Sequence, residues 1–355
     1  MWIGEGSIQP HQGESGNRHN DQLEEVAMEY YKKLITRNLI EPTDMTRYVC
    51  TMHDVVRSFA EFMAREDSLV IQDNMQVACG RGIDTRVHGG DCERFVGSLC
   101  ELRHLRYLHV EETNISRLPE DIHRMKFLQH IVIPSSRKLE NLPSSITRLV
   151  HLRTLNMIGS NAKQAASSRG VAFPNLATVH LEGLCEWEQW DWGDVTVGSM
   201  AMPVLEGLLV KNCKLSSLPR GLPNSNRHAL RTLCLYGLTN LTCVENFPSV
   251  VQLDVFDCPE LKRINRLSRL HKIRILGCPN VEVLEGVPSL DSLELEDTTM
   301  KAIPGYLRNV YPRYLDLTCN KKLYESICDD SSGELDKTKH IGKQVICYIK
   351  DSNED

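Results

Sequence analysis

The sequence is poor in aromatic residues, at 6%, and it has no uninterrupted run of about 18 apolar residues, so no segment suits a bilayer-spanning helix. The first stretch, MWIGEGSIQP, lacks the basic flank and continuous apolar core of a secretory leader. The expectation is a chain with no membrane span that works in the cytoplasm, with the nucleus as a second compartment. The 13 cysteines are odd in number, dispersed, and never spaced C-x-x-C, which argues for reduced thiols and against a disulfide framework or a zinc site. No G-x-x-x-x-G-K-[ST] loop occurs: GRGIDTRVHGG from Gly80 has no lysine followed by Ser or Thr, and GKQ at Gly342 stands alone. Ser-His-Asp spacing, paired carboxylates and metal-ligand clusters are missing too, so no catalysis and no metal are expected of this chain. The formal charge of −6 over 355 residues provides no general attraction to nucleic acid or an anionic membrane.

What the sequence does have is a repeat. LRHLRYLHVEETNISRLPEDI, from Leu102, carries the skeleton L-x-x-L-x-x-L-x-V, which recurs as LVHLRTLNM, FPNLATVHL, MPVLEGLLV, HALRTLCL, FPSVVQLDV, LSRLHKIRI, VPSLDSLEL and YPRYLDL. The last apolar residues of these nine units, with Ile133 of FLQHIVI between the first two, are Val110, Ile133, Met157, Leu181, Val210, Leu235, Val255, Ile275, Leu295 and Leu317, at intervals of 20 to 29 residues, the leucine-rich-repeat range. Each unit offers one short strand whose alternate residues point inward, and one such unit cannot bury its apolar face alone. Stacking the units makes the core. Three residues beyond each reference position a small side chain that can meet turn backbone is expected: Cys213, Cys258, Cys278 and Asn320, with Thr113 and Thr298 as variants. The motif L-P-x-x-[IL] at Leu118-Pro119, Leu142-Pro143, Leu218-Pro219 and Ile303-Pro304 ends strand pairing and turns the chain to the convex side.

Ten parallel strands spaced by about 4.8 Å form a sheet about 45 Å along its curved inner face. The residues alternating with the buried ones line that face: His109, Glu111, His180, Glu182, Lys211, Tyr236, Asp254, Phe256, Arg274, Leu276, Glu294, Glu296 and Asp316. Their mixed signs suit a folded protein partner better than nucleic acid or a small molecule; the alternative is a solvated face with no ligand. An insertion, CEWEQWDWGDVTVGSMAMP, holds Trp187, Trp190 and Trp192, either as an interface anchor or as filling for a longer repeat.

The first seventy residues have another pattern. Leu23, Val26, Ala27, Tyr30, Leu34 and Ile35 share one helical face, with Asn38 placed to close the helix. NLIEP and RYVCT read as two short strands around a Pro/Asp turn, and Met52, Val55, Val56, Phe59, Phe62 and Met63 define a second helix starting at Thr51. Helix, strand, turn, strand, helix is a winged-helix layout. Between residues 20 and 70 there are six Lys/Arg against ten Asp/Glu, a net −4 that is poorly suited to phosphate contacts along DNA. Thr51 and Asp54 have the spacing of a capping box, which leaves His53 either incidental or aimed at an anion held at the helix N-terminus.

Taken together, EYYKKLITRNLIEP, YVCTMHDVVRSFAEFMARED and the repeats resemble, over residues 1–323, the C-terminal half of plant intracellular immune receptors of the nucleotide-binding, leucine-rich-repeat, coiled-coil type. The resemblance implies an α+β chain, with a small winged-helix domain at 1–70, a linker at 71–98, an α/β solenoid of about ten leucine-rich repeats at 99–325, and a polar tail at 326–355. VICYI in that tail is a candidate capping strand, the remainder being expected to lack order. Met52-His53-Asp54 matches the family's Met-His-Asp motif, whose histidine contacts bound ADP in a domain that later exchanges it for ATP. The repeats of the family sense a pathogen effector or a host guardee and help hold the resting state. Because the phosphate-binding loop and the coiled-coil domain are missing from the sequence, this chain alone is expected to hold no cofactor; His53 would serve a nucleotide-binding domain supplied in cis or in trans. The other readings are a leucine-rich-repeat adaptor presenting substrates to a ubiquitin ligase, which would need an F-box-like module, and a nonfunctional fragment.

Overall fold

The computed structural model describes residues 32–37, 39–42, 50–52, 68–72, 100, 102, 104–111, 115–159, 164–165, 173–184, 202–218, 229–329 and 332–349. A short helix at 32–36 is followed by a bond from the Leu39 amide to the Leu34 carbonyl, while Asn38, the expected helix end, lies outside the described residues. Strand β1 (Ile40–Pro42) then pairs antiparallel with β2 (Cys50–Met52), Glu41 opposite Thr51. Thr51 and Met52 therefore belong to a strand, and the second helix does not start at Thr51: extended pairing with β1 continues to Met52.

Among the described residues the core is one twelve-stranded sheet, parallel at every step. Ordered by chain, its members are β3 (Ser68–Gln72), β4 (Tyr107–Glu111), β5 (His130–Pro134), β7 (Thr154–Ile158), β9 (Thr178–Glu182), β10 (Gly207–Lys211), β11 (Thr232–Tyr236), β13 (Gln252–Phe256), β15 (Lys272–Leu276), β17 (Ser292–Glu296), β18 (Tyr314–Cys319) and β19 (Lys343–Tyr348). Shorter strands lie on the opposite side: β6 (Asn141–Leu142) pairs with β8 (Gln164–Ala165), and β12 (Cys243–Glu245), β14 (Arg263–Asn265) and β16 (Val283–Glu285) form a second sheet. All ten reference residues occupy the fourth position of a sheet strand. From β7 to β17 nearly every strand alternates buried with half-buried residues, the period-two signature of one packed face.

The solenoid exceeds the ten units at both ends. Ser68–Gln72 pairs in parallel with β4, so the sheet begins where a winged-helix end and a linker were expected. Among the described residues of the tail, helix α1 (Lys321–Cys328) packs its Leu323 and Ile327 inward, and β19 adds the last strand beside β18. Pairing, not sequence consensus, makes both additions, since an extended apolar segment can satisfy the open edge of a sheet whatever its repeat phase.

Seven strands, β5, β7, β9, β10, β11, β13 and β15, exit into a turn of one design. Ser135, Gly159, Gly183, Asn212, Gly237, Asp257 and Gly277 all have positive φ, and each donates its amide to the carbonyl ending the next strand, from Ser135 to Ile158 through Gly277 to Glu296. Gly, Asn and Asp tolerate that left-handed conformation best, which is why they recur there. One residue later, the Cys258 and Cys278 thiols reach back to carbonyls of Leu235 and Val255 at 3.8 Å, and Ser136 Oγ donates to Val110 at 3.3 Å. The neighbouring Cys258 thiol and burial push the Cys278 thiol upward, as expected of structural, unreactive sulfur. Thr298 departs from expectation: it is exposed, and Asp297 takes the buried place, its Oδ1 accepting from the Thr299 amide and hydroxyl at 2.7 Å. Thr113, Trp187, Trp190 and Trp192 lie outside the described residues. After Pro119, Pro143 and Pro304 the chain forms 3-10 turns at Ile122–Arg124, Ser144–Arg148 and Gly305–Asn309, each packing residues into the convex core.

Candidate functional site

The register of the parallel pairs aligns the outward residues of the concave face in rows. One row runs His180, Leu209, Cys234, Asp254, Arg274, Glu294 and Asp316; its neighbour runs Glu182, Lys211, Tyr236, Phe256, Leu276, Glu296 and Thr318. A side chain therefore meets its counterpart one repeat away, at the strand spacing of about 4.8 Å.

The most organised group lies on β11, β13 and β15. Asp254 is only 2% exposed, and Arg274 clasps it with two bonds, Nε to Oδ1 at 2.8 Å and Nη2 to Oδ2 at 2.7 Å. Gln252 adds a third donor, Nε2 to Oδ2 at 2.9 Å, and the Cys234 thiol a weak fourth at 3.6 Å. Burial opposes the charge on Asp254, but the guanidinium and the amide outweigh it, so the carboxylate sits below its ordinary range. Burial first, and Asp254 second, push the Cys234 thiol up to about 12. The guanidinium of Arg274 also lies over the Phe256 ring, 5.2 Å from its centroid. Phe256 in turn stacks on Tyr236, centroids 4.5 Å apart and planes 9° from parallel. Two half-buried aromatic rings on an open sheet face are thus held by a fixed ion pair.

Around this centre the other expected residues form smaller groups. Glu182 receives Lys211 Nζ at 2.7 Å and has His180 Nε2 at 3.3 Å; burial lowers the His180 pKa more than Glu182 raises it. His109 lies against Tyr107, Nδ1 to Oη at 3.4 Å, with Tyr107 in turn tilted over His130. Val132 and Asn156 separate His109 from His180, so the two histidines are not brought together. Glu294 pairs across the register with Asp316, and Tyr314 Oη donates to Asp316 at 3.4 Å. Glu111 occupies the last position of β4. Among the described residues no three His, Cys, Asp or Glu gather as metal ligands, and no helix is long and apolar enough to cross a membrane.

Met52 ends β2, while His53 and Asp54 lie outside the described residues. Sequence reasoning missed Gln252, Cys234 and Tyr107. Gln252 and Tyr107 occupy the first outward position of their strands, two residues before Asp254 and His109, so the same period of two would have found them.

Comparison with known proteins gives the winged helix and the repeats a common setting. The model described as "Disease resistance protein Winged helix domain" matches residues 1–60, and "Leucine-rich repeat region" matches residues 55–165. The chain is 27% identical over 311 residues to "Probable disease resistance protein At1g59620" of Arabidopsis thaliana, an alignment that takes in 86% of this chain and 32% of that protein. A second Arabidopsis thaliana relative, "Probable disease resistance protein At1g58390", is 26% identical over 156 residues, 37% of this chain and 16% of the relative. The chain thus spans about a third or less of the length of these curated relatives. A solved leucine-rich-repeat protein of Leptospira interrogans, LIC12759, is similar at 14% identity over 56% of this chain and 80% of its own, with a TM-score of 0.21. In its winged-helix region and its repeats the chain is similar to plant disease resistance proteins that carry leucine-rich repeats.

Proposed function

We propose that this chain is the recognition and regulatory portion of an intracellular plant defence receptor, in which the concave face binds a folded protein, a pathogen effector or a host guardee, and the winged helix takes part in an ADP/ATP switch. The observation that carries the recognition half is the Asp254–Arg274–Phe256–Tyr236 group: a buried ion pair spent on fixing half-buried rings is costly to build for a face that binds nothing. The switch half rests on Met52-His53-Asp54 and on the family's architecture, with nucleotide bound by a domain supplied in cis or in trans.

One protein tests both halves: the chain joined to the nucleotide-binding domain of a related receptor. In calorimetry His53→Ala weakens ADP by about 10- to 100-fold, the worth of one charge-assisted bond; unchanged ADP affinity refutes the switch. In leaves, Phe256→Ala removes the defence response that the parent protein triggers on challenge, and an unchanged response refutes recognition through this face.

A further inference from the structure

We propose that the concave face from β11 to β18 receives a protein segment bearing an aromatic or large aliphatic side chain and, about 10 Å further along, a lysine or arginine. The proposal rests on the reading of this face as a partner site and adds the partner's chemistry.

Three observations lead there. First, Tyr236 and Phe256 form a stacked shelf at 4.5 Å, continued by Leu276 in the same row, so an apolar side chain has a surface to cover. Second, the shelf is already ordered: Arg274 is held over Phe256 by Asp254, which lowers the entropy cost of docking. That salt bridge also consumes the Arg274 charge, leaving it little attraction for an acidic guest. Third, the rows continue into Glu294, Glu296 and Asp316, and the register sets Glu294 directly beside Asp316. Among the described residues Glu296 makes no ion pair. Two lysines of that region, Lys272 and Lys343, lie in the row that runs through Ser292 and Tyr314, apart from both carboxylate rows, and Lys343 sits over the Tyr314 ring. The carboxylates therefore select a cation from outside and repel an acidic segment or nucleic acid.

Geometry sets the spacing. Phe256 and Glu296 lie two strand steps apart, about 10 Å. An extended segment crossing the strands covers that distance in about three residues, and a helix lying across them in about seven.

Fluorescence anisotropy with the full chain tests this, using labelled peptide libraries that fix an aromatic residue and a Lys/Arg three positions later. Control libraries replace the basic residue by Asp/Glu, or the aromatic by Gly. The expected result is binding by the first library alone, weakened at least about tenfold by Phe256→Ala and by Glu296→Lys, less by Glu296→Gln, and reduced by added salt. Thermal unfolding shows which variants remain folded, and Glu296→Gln keeps the test informative if Phe256→Ala does not. Equal binding by the acidic or Gly-substituted libraries, or indifference to both Glu296 variants, overturns the proposal. If such binding still depends on Phe256, the wider reading of the face survives. Absence of binding by every library up to millimolar concentration overturns the proposal; the leaf assay then decides separately whether the face recognises a larger folded partner.

Discussion

Arg274 and Asp254 show how much one pair of side chains can organise. Asp254 is buried and ionised, so removing its partner strands a charge: Arg274→Ala is expected to cost about 2 kcal/mol at neutral pH, the low side for a buried pair because Arg274 is 30% exposed on its own side. The folded pKa of Asp254 is depressed below its unfolded value near 3.8, so the pair contributes stability above that pH and loses it as pH falls through the folded value. The gap between wild type and Arg274→Ala should therefore be widest at pH 7 and narrow on acidification, beginning at higher pH because the stranded carboxyl protonates more readily. Denaturant titrations at several pH values check it; a constant gap contradicts the assignment. Glycines give a sharper contrast. Gly286 has φ +67°, and a Cβ there would lie 2.9 Å from the Arg266 amide nitrogen, whereas Gly305 has open space around it. Gly286→Ala should cost about 2 kcal/mol and Gly305→Ala about nothing, since only the first combines a left-handed backbone with a backbone clash. Matching melting temperatures for the two would refute that account.

At the scale of elements, what is local was legible in the sequence and what is paired at a distance was not. The alternation within LDVF and IRIL announces which residues face the core, and all ten strands appear where that alternation places them. The prolines at 119, 143 and 304 announce the convex turns in the same way. SLVIQ carries no repeat consensus and becomes a strand because β4 would otherwise offer an unpaired edge, whereas VICYI, the candidate capping strand, does pair beside β18. Thr51 was misleading because a residue before a helix and a residue in a strand share extended backbone angles. The C-terminal cap depends on Asn320, which closes the ladder by donating Nδ2 to Thr298 and Met300 and begins α1 by accepting the Leu323 amide at 2.9 Å. Asn320→Ala should cost about 2 kcal/mol, one helix cap plus the bonds to two carbonyls, and Asn320→Asp less because the cap survives. Hydrogen exchange should place the loss at the end of the array, with β19 exchanging faster and β13 unchanged; uniform acceleration would contradict a repeat structure held by neighbours.

For the whole molecule, the regular stacking turns isolated residue choices into surfaces. Tyr236, Phe256 and Arg274 are 20, and 18, residues apart in the chain, yet adjacent in space because each repeat returns to the same register. That much of the concave face was visible in the sequence. The clasp of Arg274 on Asp254, with Gln252 behind it, was not, because bond partners among mixed charges depend on side-chain reach across strands, which periodicity does not encode. The proposed function assigns the winged-helix region a regulatory role in which His53 acts on nucleotide held by another domain. Recognition through the concave face is the central claim, and site-specific photo-cross-linking tests it most directly. A photoreactive residue at Phe256, compared with one at the exposed convex position Arg263, would be placed in the chain expressed in challenged plant cells. The account predicts a discrete protein adduct from position 256 that disappears with Arg274→Glu, and none from position 263. Adducts from both positions alike, or from 263 alone, would contradict it.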